Sequence, residues 1–383
     1  MNHPWNSQAF RAGARTAGRP DEMTLAAERH AARIKGKHPD LPVVLTLNHL
    51  AHLAGVSAQD LQQVAFRKED AYRVFRVKKR GSAGKISKPP RRYRTICVPK
   101  PFLMRTQRWI AQNVLNPISP DPASHAFAPG CDLVGAAERH LGARWLLKMD
   151  VRHFFESIME DGVYRVFRSL GYGALLSFQM ARLCTRQQPE RVRSMPVRNR
   201  SSKLPYPSQR QGHLPQGAPT SPMLANLVMR TLDGRLTSLA QATGWTYTRY
   251  ADDLAFSRRD DSTRGRVVRL SRRVAHELEL AGLIHHREKT RISPPGARKI
   301  LLGVLIDREK PHLSRAFRAN IETHLFALTS LKIGPTVHRE KRGFASVIGM
   351  RRHIGGLIAF AHQVDPEYAT KLHDEFETVD WSR

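Results

Sequence analysis

The alternation of apolar and polar positions is clearest between Thr246 and Ser257, where β-forming residues run up to two acids and resume as Leu254-Ala255-Phe256. The pattern predicts two short strands meeting at a turn, with Asp252 and Asp253 presented together at the tip. Upstream, residues 145–149 read as a buried strand closed by Asp150. An aromatic, helix-starting segment with Phe154, Phe155 and Ile158 packed inward follows it. A carboxylate at that junction serves as a helix N-cap or as a ligand, and both roles put it in the same place. Residues 72–80 alternate with basic side chains outward, and after a Gly/Ser/Lys/Pro loop residues 91–98 do the same, which predicts an antiparallel hairpin. Between Val44 and Val64 the apolar spacing predicts two short helices turned at Gly55-Val56-Ser57, either a packing pair or a DNA-reading helix-turn-helix, with Ser57 as N-cap. Residues 223–236 predict an amphipathic helix opened by Ser221 and Pro222 as N-cap and N1. Residues 262–283 predict another, with Val267, Leu270, Val274 and Leu278 on one face. Residues 299–306 read as one buried strand, and Arg315 to Trp381 as helical. Residues 1–40 carry seven basic residues against four acids with little periodicity before Leu25. They read as an arm that is mobile alone and orders only on a polyanion.

Composition adds a partner. The chain has 383 residues, 63 Lys and Arg against 33 Asp and Glu, a net charge of +30 and a pI near 11. Such a balance attracts polyanions through counterion release, so nucleic acid is the expected partner. A membrane is not, because no apolar run approaches the ~20 residues that a spanning helix needs. The N-terminus lacks an apolar secretory segment, and Cys97, Cys131 and Cys184 lack CxxC spacing, so the expected location is the reducing cytoplasm. Two adjacent acids flanked by apolar strands are costly unless a cation sits on them, and Mg²⁺ suits one or two carboxylates plus substrate phosphates. An ordinary Asp turn is the other reading of the same pair. Residues 186–213 hold seven Lys and Arg, one acid and four prolines, a basic loop suited to tracking RNA or a plain insertion.

Three motifs together resemble a known family. Tyr250-Ala251-Asp252-Asp253, Asp150-Val151-Arg152-His153-Phe154-Phe155 and the nine residues from Leu214 to Pro222 look like the palm motifs of reverse transcriptases, in the family's order. The wording of the last points to the bacterial retron-type branch. The resemblance spans roughly residues 70 to 375. It implies an α+β right-hand polymerase fold of fingers, palm (an antiparallel sheet with packed helices) and helical thumb. The implied divisions are a basic arm over 1–40, N-terminal helices and fingers over 41–145, a palm over 146–310 with the 186–213 loop inserted, and a thumb over 311–383. It implies RNA-directed DNA synthesis with two Mg²⁺ ions bridged by Asp150 and Asp252, supported by Asp253 and by the Val151 carbonyl. Lys289 would donate a proton to the leaving pyrophosphate. Arg94 would contact the incoming triphosphate, Phe155 would gate against a ribose 2′-OH, and Gln216 and Gly217 would line the nucleotide. Implied partners are dNTPs, a cognate structured non-coding RNA, its short DNA product and a separate effector or toxin protein. The chain departs from the family at Cys131-Asp132 (usually Arg-Ser), at Ala136 (Asn in retron enzymes), at His285-His286 (Leu-Asn) and at Leu302 (Thr). Two other readings remain: a non-retron bacterial reverse transcriptase, of group II intron or other defence type, and a non-catalytic RNA-binding palm.

Overall fold

The computed structural model describes residues 5–78, 93–187, 211–331 and 333–382, so the ribbon tip over 79–92 and most of the basic 186–213 stretch lie outside the described residues. In chain order the elements are α1 (Ser7–Thr16), α2 (Asp21–Lys37), α3 (Leu47–Ala54), α4 (Ala58–Ala65), β1 (Tyr72–Lys78), β2 (Tyr93–Pro99), α5 (Pro101–Ile110), α6 (Leu133–Glu138) and β3 (Trp145–Arg152). Next come α7 (Phe154–Ser157), α8 (Glu160–Ser169), α9 (Ala174–Cys184), α10 (Ser221–Ala242), β4 (Thr246–Tyr250), β5 (Asp253–Arg258) and α11 (Arg264–Leu280). Short strands β6 (Ile284–His285), β7 (Arg291–Ser293), β8 (Ile300–Leu301), β9 (Val304–Leu305) and β10 (His312–Leu313) lead to α12 (Arg315–Leu328), α13 (Pro335–Arg342), α14 (Val347–Val364) and α15 (Pro366–Glu377). The fold is mixed α/β, and its main sheet is open, in the order β4-β5-β3-β6 with β7 also on β3. By internal contacts the chain forms two compact units, one of Met1–Gly130, Asp150–Ser238 and Arg272–Glu288, the other of Cys131–Met149, Leu239–Ser271 and Lys289–Arg383.

In the first unit, the helix pair α3–α4 forms where the apolar spacing places it. Thr46 caps α3 by accepting from His49 N at 3.1 Å, Gly55 ends it at φ 63°, and Ser57 caps α4. The N-terminal arm expected over residues 1–40 is instead helical in α1 and α2. Helix α2 buries Thr24, Ala31 and Ile34, and Arg33 Nε donates to the Gly171 carbonyl at 2.8 Å. Strands β1 and β2 pair antiparallel from Tyr72↔Pro99 to Lys78↔Tyr93. The ribbon is not apolar on one side only: Val74, Phe75 and Val77 are exposed as well as Arg73 and Arg76. A two-stranded ribbon has no second layer to cover either face, so its pattern carries no inside.

In the second unit the acidic hairpin forms as expected, in the register Thr246↔Ser257 through Tyr250↔Asp253, so that Asp252 lies in the turn and Asp253 opens the second strand. Stacked Tyr247 and Phe256 lie 4.8 Å apart, both buried. Leu133, Ala137, Leu146, Ala255, Leu301, Val304 and Ile306 make one core cluster. Residues 299–306 are not one strand, because β8 and β9 fold back on each other with Leu301↔Val304 across the turn. Leu302 (φ 51°) and Gly303 (φ 91°) both take left-handed backbone there, which is the geometry of a tight two-residue hairpin. The C-terminal helices share a core of Ile321, Leu325, Met350, Ile354, Ile358, Leu372 and Phe376. Beside it, His324 and His338 share a hydrogen bond at 2.8 Å, with both rings buried.

Candidate active site

The acidic hairpin is the clearest part of the site. Tyr250 pairs with Asp253, so its loop is two residues, Ala251 and Asp252. Ala251 sits at φ 55°, a left-handed conformation that a tight hairpin imposes and that glycine or asparagine usually fills. Behind the tip, the fully buried Arg249 donates from Nη1 to the Ala251 carbonyl at 3.1 Å and so props the loop. Lys148 on β3 is half-buried. Burial pulls its pKa down, and the nearby Asp253 carboxylate opposes that shift. Its Nζ donates to the Ile300 carbonyl at 2.8 Å. Neither cation was singled out from sequence, although a basic residue inside the apolar strand just before the acidic pair is a readable signal. His140, just after α6, is a satisfied core residue. Its Nδ1 meets Ser257 Oγ and its Nε2 meets Thr248 Oγ1, both at 2.7 Å, so it ties both hairpin strands to the end of α6. Lys289, the first residue of the last segment of this unit, lies exposed at the end of a short 3-10 turn.

Asp150 and Val151 belong to the first unit. Strand β3 does not stop at Asp150 but runs on to Arg152, so Asp150 is not a helix N-cap; His153, at φ 50°, holds that position before α7. Pairing with β6 explains the extension: Val151 faces His285, and the Asp150 carbonyl accepts from His286 N at 2.8 Å. The Asp150 side chain is 6 % exposed. Burial together with nearby Arg287 and His286 lowers the His285 pKa, and Asp150 opposes the shift.

The residues that the resemblance assigns to the nucleotide also fall in the first unit, where Gln216 and Gly217 pack on the strand that carries Arg94. Cys97 N donates to the Gln216 carbonyl at 2.8 Å, which locks the segment after Leu214 onto β2, the strand of Arg94. Gly217 is needed there. Its φ is 112°, and a Cβ would meet Ile96 Cγ2 at 3.0 Å and the Cys97 carbonyl oxygen at 3.1 Å. Helix α10 starts at Ser221 and runs to Ala242, longer than expected, with Ser221 Oγ donating to the Pro215 carbonyl at 2.7 Å. Phe155 is half-buried, its ring 5.5 Å from that of Phe154 and 6.0 Å from that of Phe127. Arg94 is exposed on β2, opposite Val77.

One anchor was not legible in sequence. The fully buried Glu160 accepts from Gly212 N at 2.8 Å and Thr185 Oγ1 at 3.2 Å, and it pairs with Arg67 and Arg182. Arg67 also donates to the Thr185 carbonyl at 2.6 Å, and a Cβ on Gly212 would collide with Arg67 Nη2 at 2.5 Å. The network fixes the chain just before Leu214. Buried His213 bridges to Arg186 through both backbone groups, and burial pushes its pKa down to about 4. Among the described residues, no group of three or more His, Cys, Asp or Glu is placed to hold a metal ion. Among them too, no helix is long and apolar enough to cross a membrane.

Comparison with known proteins agrees with these motifs. The family described as reverse transcriptase (RNA-dependent DNA polymerase) matches residues 77–306. The chain is 31 % identical over 336 residues to the retron Ec86 reverse transcriptase of Escherichia coli, covering 87 % of this chain and 88 % of that one. It is 32 % identical over 367 residues to the retron Mx65 reverse transcriptase of Myxococcus xanthus, covering 95 % of this chain and 77 % of that one. The retron Ec83 reverse transcriptase of Escherichia coli is more distant, 24 % identical over 303 residues. The chain belongs to the bacterial retron-type reverse transcriptases and carries an RNA-directed DNA polymerase domain.

Proposed function

We propose that this enzyme copies a cognate structured non-coding RNA into a short single-stranded DNA, primed from a 2′-OH of that RNA, in a defence role against phage. The observation that carries the reading is the propped two-residue loop that puts Asp252 at the tip of the hairpin, directly before Asp253 at the start of β5. In this assignment the β1–β2 ribbon belongs to the fingers, the main sheet to the palm and the C-terminal helices to the thumb. Asp150, Asp252, Asp253 and the Val151 carbonyl are the proposed ligands of two Mg²⁺ ions. All are hard oxygen donors, the class that Mg²⁺ takes, and few carboxylates suffice when substrate phosphates complete the shell. Bound there, the metal supplies charge neutralisation and alignment for an in-line displacement at phosphorus.

The protein's own groups do the rest. Arg94 faces the triphosphate, Gln216 and Gly217 present backbone to the nucleotide, and Phe155 excludes a 2′-OH. Lys289 gives a proton to the departing pyrophosphate. A chain of net charge +30 holds the RNA by its phosphates and reads it by shape. Priming from a 2′-oxygen needs no further catalytic residue if the RNA fold delivers that oxygen in line. The partners are then the RNA, its DNA product, dNTPs and a separate effector protein, all in the cytoplasm.

The test is expression with the native upstream locus, followed by isolation of DNA covalently attached to RNA. A 2′,5′-debranching enzyme should shift its mobility. Unbranched DNA from an active polymerase would favour the non-retron branch instead. Absence of primer extension on a homopolymer template would leave only an RNA-binding palm.

A further inference from the structure

Phe127 is in a conformation that needs an explanation. Its backbone is left-handed at φ 69°, a region that strains any residue with a Cβ, yet the residue is 41 % exposed. Neither burial nor backbone preference accounts for an aromatic here, since a glycine would take the same turn without strain. The loop is nevertheless held firmly. Asn226 on α10, itself fully buried, donates from Nδ2 to the Ala126 carbonyl at 2.6 Å and accepts from Ser124 Oγ at 2.9 Å. That clamp fixes the residue before Phe127 and aims the ring at Phe155, centroid to centroid 6.0 Å with the planes tilted by 42°. Phe155 also meets the buried Phe154 edge-on at 5.5 Å. Phe155 is therefore in contact with one buried phenyl and with one that is pinned through its backbone. Both separations are typical of favourable aromatic pairs.

We propose that Phe127 is a specificity-determining positioning residue, which restrains the Phe155 ring and so sets how strictly a ribose 2′-OH is refused. The proposal rests on the reading of Phe155 as the sugar gate. A gate discriminates only as well as its ring resists displacement, because a 2′-OH is a small intrusion that a slightly rotated phenyl can accommodate. With Phe127 gone, Phe155 keeps its backbone and its contact with Phe154 but loses the wall that the second ring provides. The strained left-handed turn is then the cost of placing that wall, and Asn226 is what holds the turn closed.

The test is steady-state incorporation by the full chain on a poly(rA)·oligo(dT) substrate, comparing kcat/KM for dTTP and UTP in the parent, Phe127→Ala, Phe127→Leu, Phe155→Val and the Phe127→Ala/Phe155→Val double variant. Thermal melting would exclude unfolded protein. The expected result is a five- to tenfold loss of dTTP-over-UTP discrimination in Phe127→Ala and a smaller loss in Phe127→Leu. In the double variant discrimination should match that of Phe155→Val alone, because the two residues act through one ring. Discrimination within twofold of the parent in folded Phe127→Ala, while Phe155→Val loses it, overturns the proposal. If Phe155→Val also discriminates normally, the gate reading itself has failed.

Discussion

Replacing Gly217 by alanine should damage both the stability of the first unit and its use of nucleotides. The added methyl would stand 3.0 Å from Ile96 Cγ2 and 3.1 Å from the Cys97 carbonyl oxygen, and the second neighbour is strand backbone that cannot swing aside. A φ of 112° is also one that L-residues rarely adopt, at a cost of about 1–3 kcal/mol. Relief requires the segment to lift off β2, which stretches the 2.8 Å bond from Cys97 N to the Gln216 carbonyl, a bond worth about 1 kcal/mol. The sum is about 2–4 kcal/mol, so the urea midpoint of the transition that unfolds this unit should fall by roughly 1 M. Single-nucleotide incorporation should show the KM for dNTP rising more than kcat falls, because the displaced backbone is the segment proposed to line the nucleotide. Gly356→Ala is the internal control. It lies in α14 with nothing within 4 Å of an added Cβ, so alanine there should leave stability unchanged or raise it by about 0.5–1 kcal/mol. A Gly217→Ala protein with the parent's midpoint and a dNTP KM within twofold would refute the reasoning.

Asp252→Asn should abolish polymerase activity in Mg²⁺ while leaving RNA affinity within a few-fold, measured by filter binding, since the loss falls on metal ligation and not on the basic surface; near-parental activity would sink the assignment. Glu160→Ala should destabilise the first unit by about 3–5 kcal/mol, because it leaves the largely but not fully buried Arg67 and Arg182 without a counter-charge; urea titration would show it, and a loss under about 1 kcal/mol would mean the network is ornamental. Burial, with His338, Arg342 and His353 adding to it, lowers the His324 pKa to about 4, and burial with Arg342 and Lys341 lowers that of His338. Stability of the C-terminal helices is therefore fully present above the unfolded pKa near 6.5 and is lost as pH falls from there towards 4. Circular dichroism melts between pH 7 and pH 4 would show the decline, and a flat profile would contradict it. RNA binding should weaken steeply with salt, as each phosphate contact releases close to one counterion; an affinity flat from low to physiological salt would place the +30 charge away from the interface.

What the sequence made legible was local. The β4–β5 hairpin and α11 show their period within a few residues, and Val267, Leu270, Val274 and Leu278 are all buried on the face expected for them. Helices α1 and α2 escaped because α1 buries nothing and α2 buries only Thr24, Ala31 and Ile34, too sparse a stripe to register. The run over 299–306 hid its turn because Leu302 is an apolar residue in a conformation that apolar residues seldom take. Glu160 gave no sign of its role, since Arg67 lies 93 residues away and only folding brings them together. The extension of β3 past Asp150 was missed for a similar reason: its partner, β6, is more than a hundred residues downstream and two residues long.

Ala251 bears on attempts to make this enzyme more heat-resistant. A non-glycine residue at positive φ is normally among the first places to look, because glycine there relieves backbone strain of about 1–2 kcal/mol. Here the strained residue adjoins Asp252, and its carbonyl is the atom that Arg249 holds. A softer loop would let two like charges drift apart, so stability gained at this position would be drawn from the stiffness that keeps the acids together. Stabilising substitutions are better sought at solvent-facing glycines within helices, and a variant library selected on heat tolerance alone should accumulate inactive members at position 251.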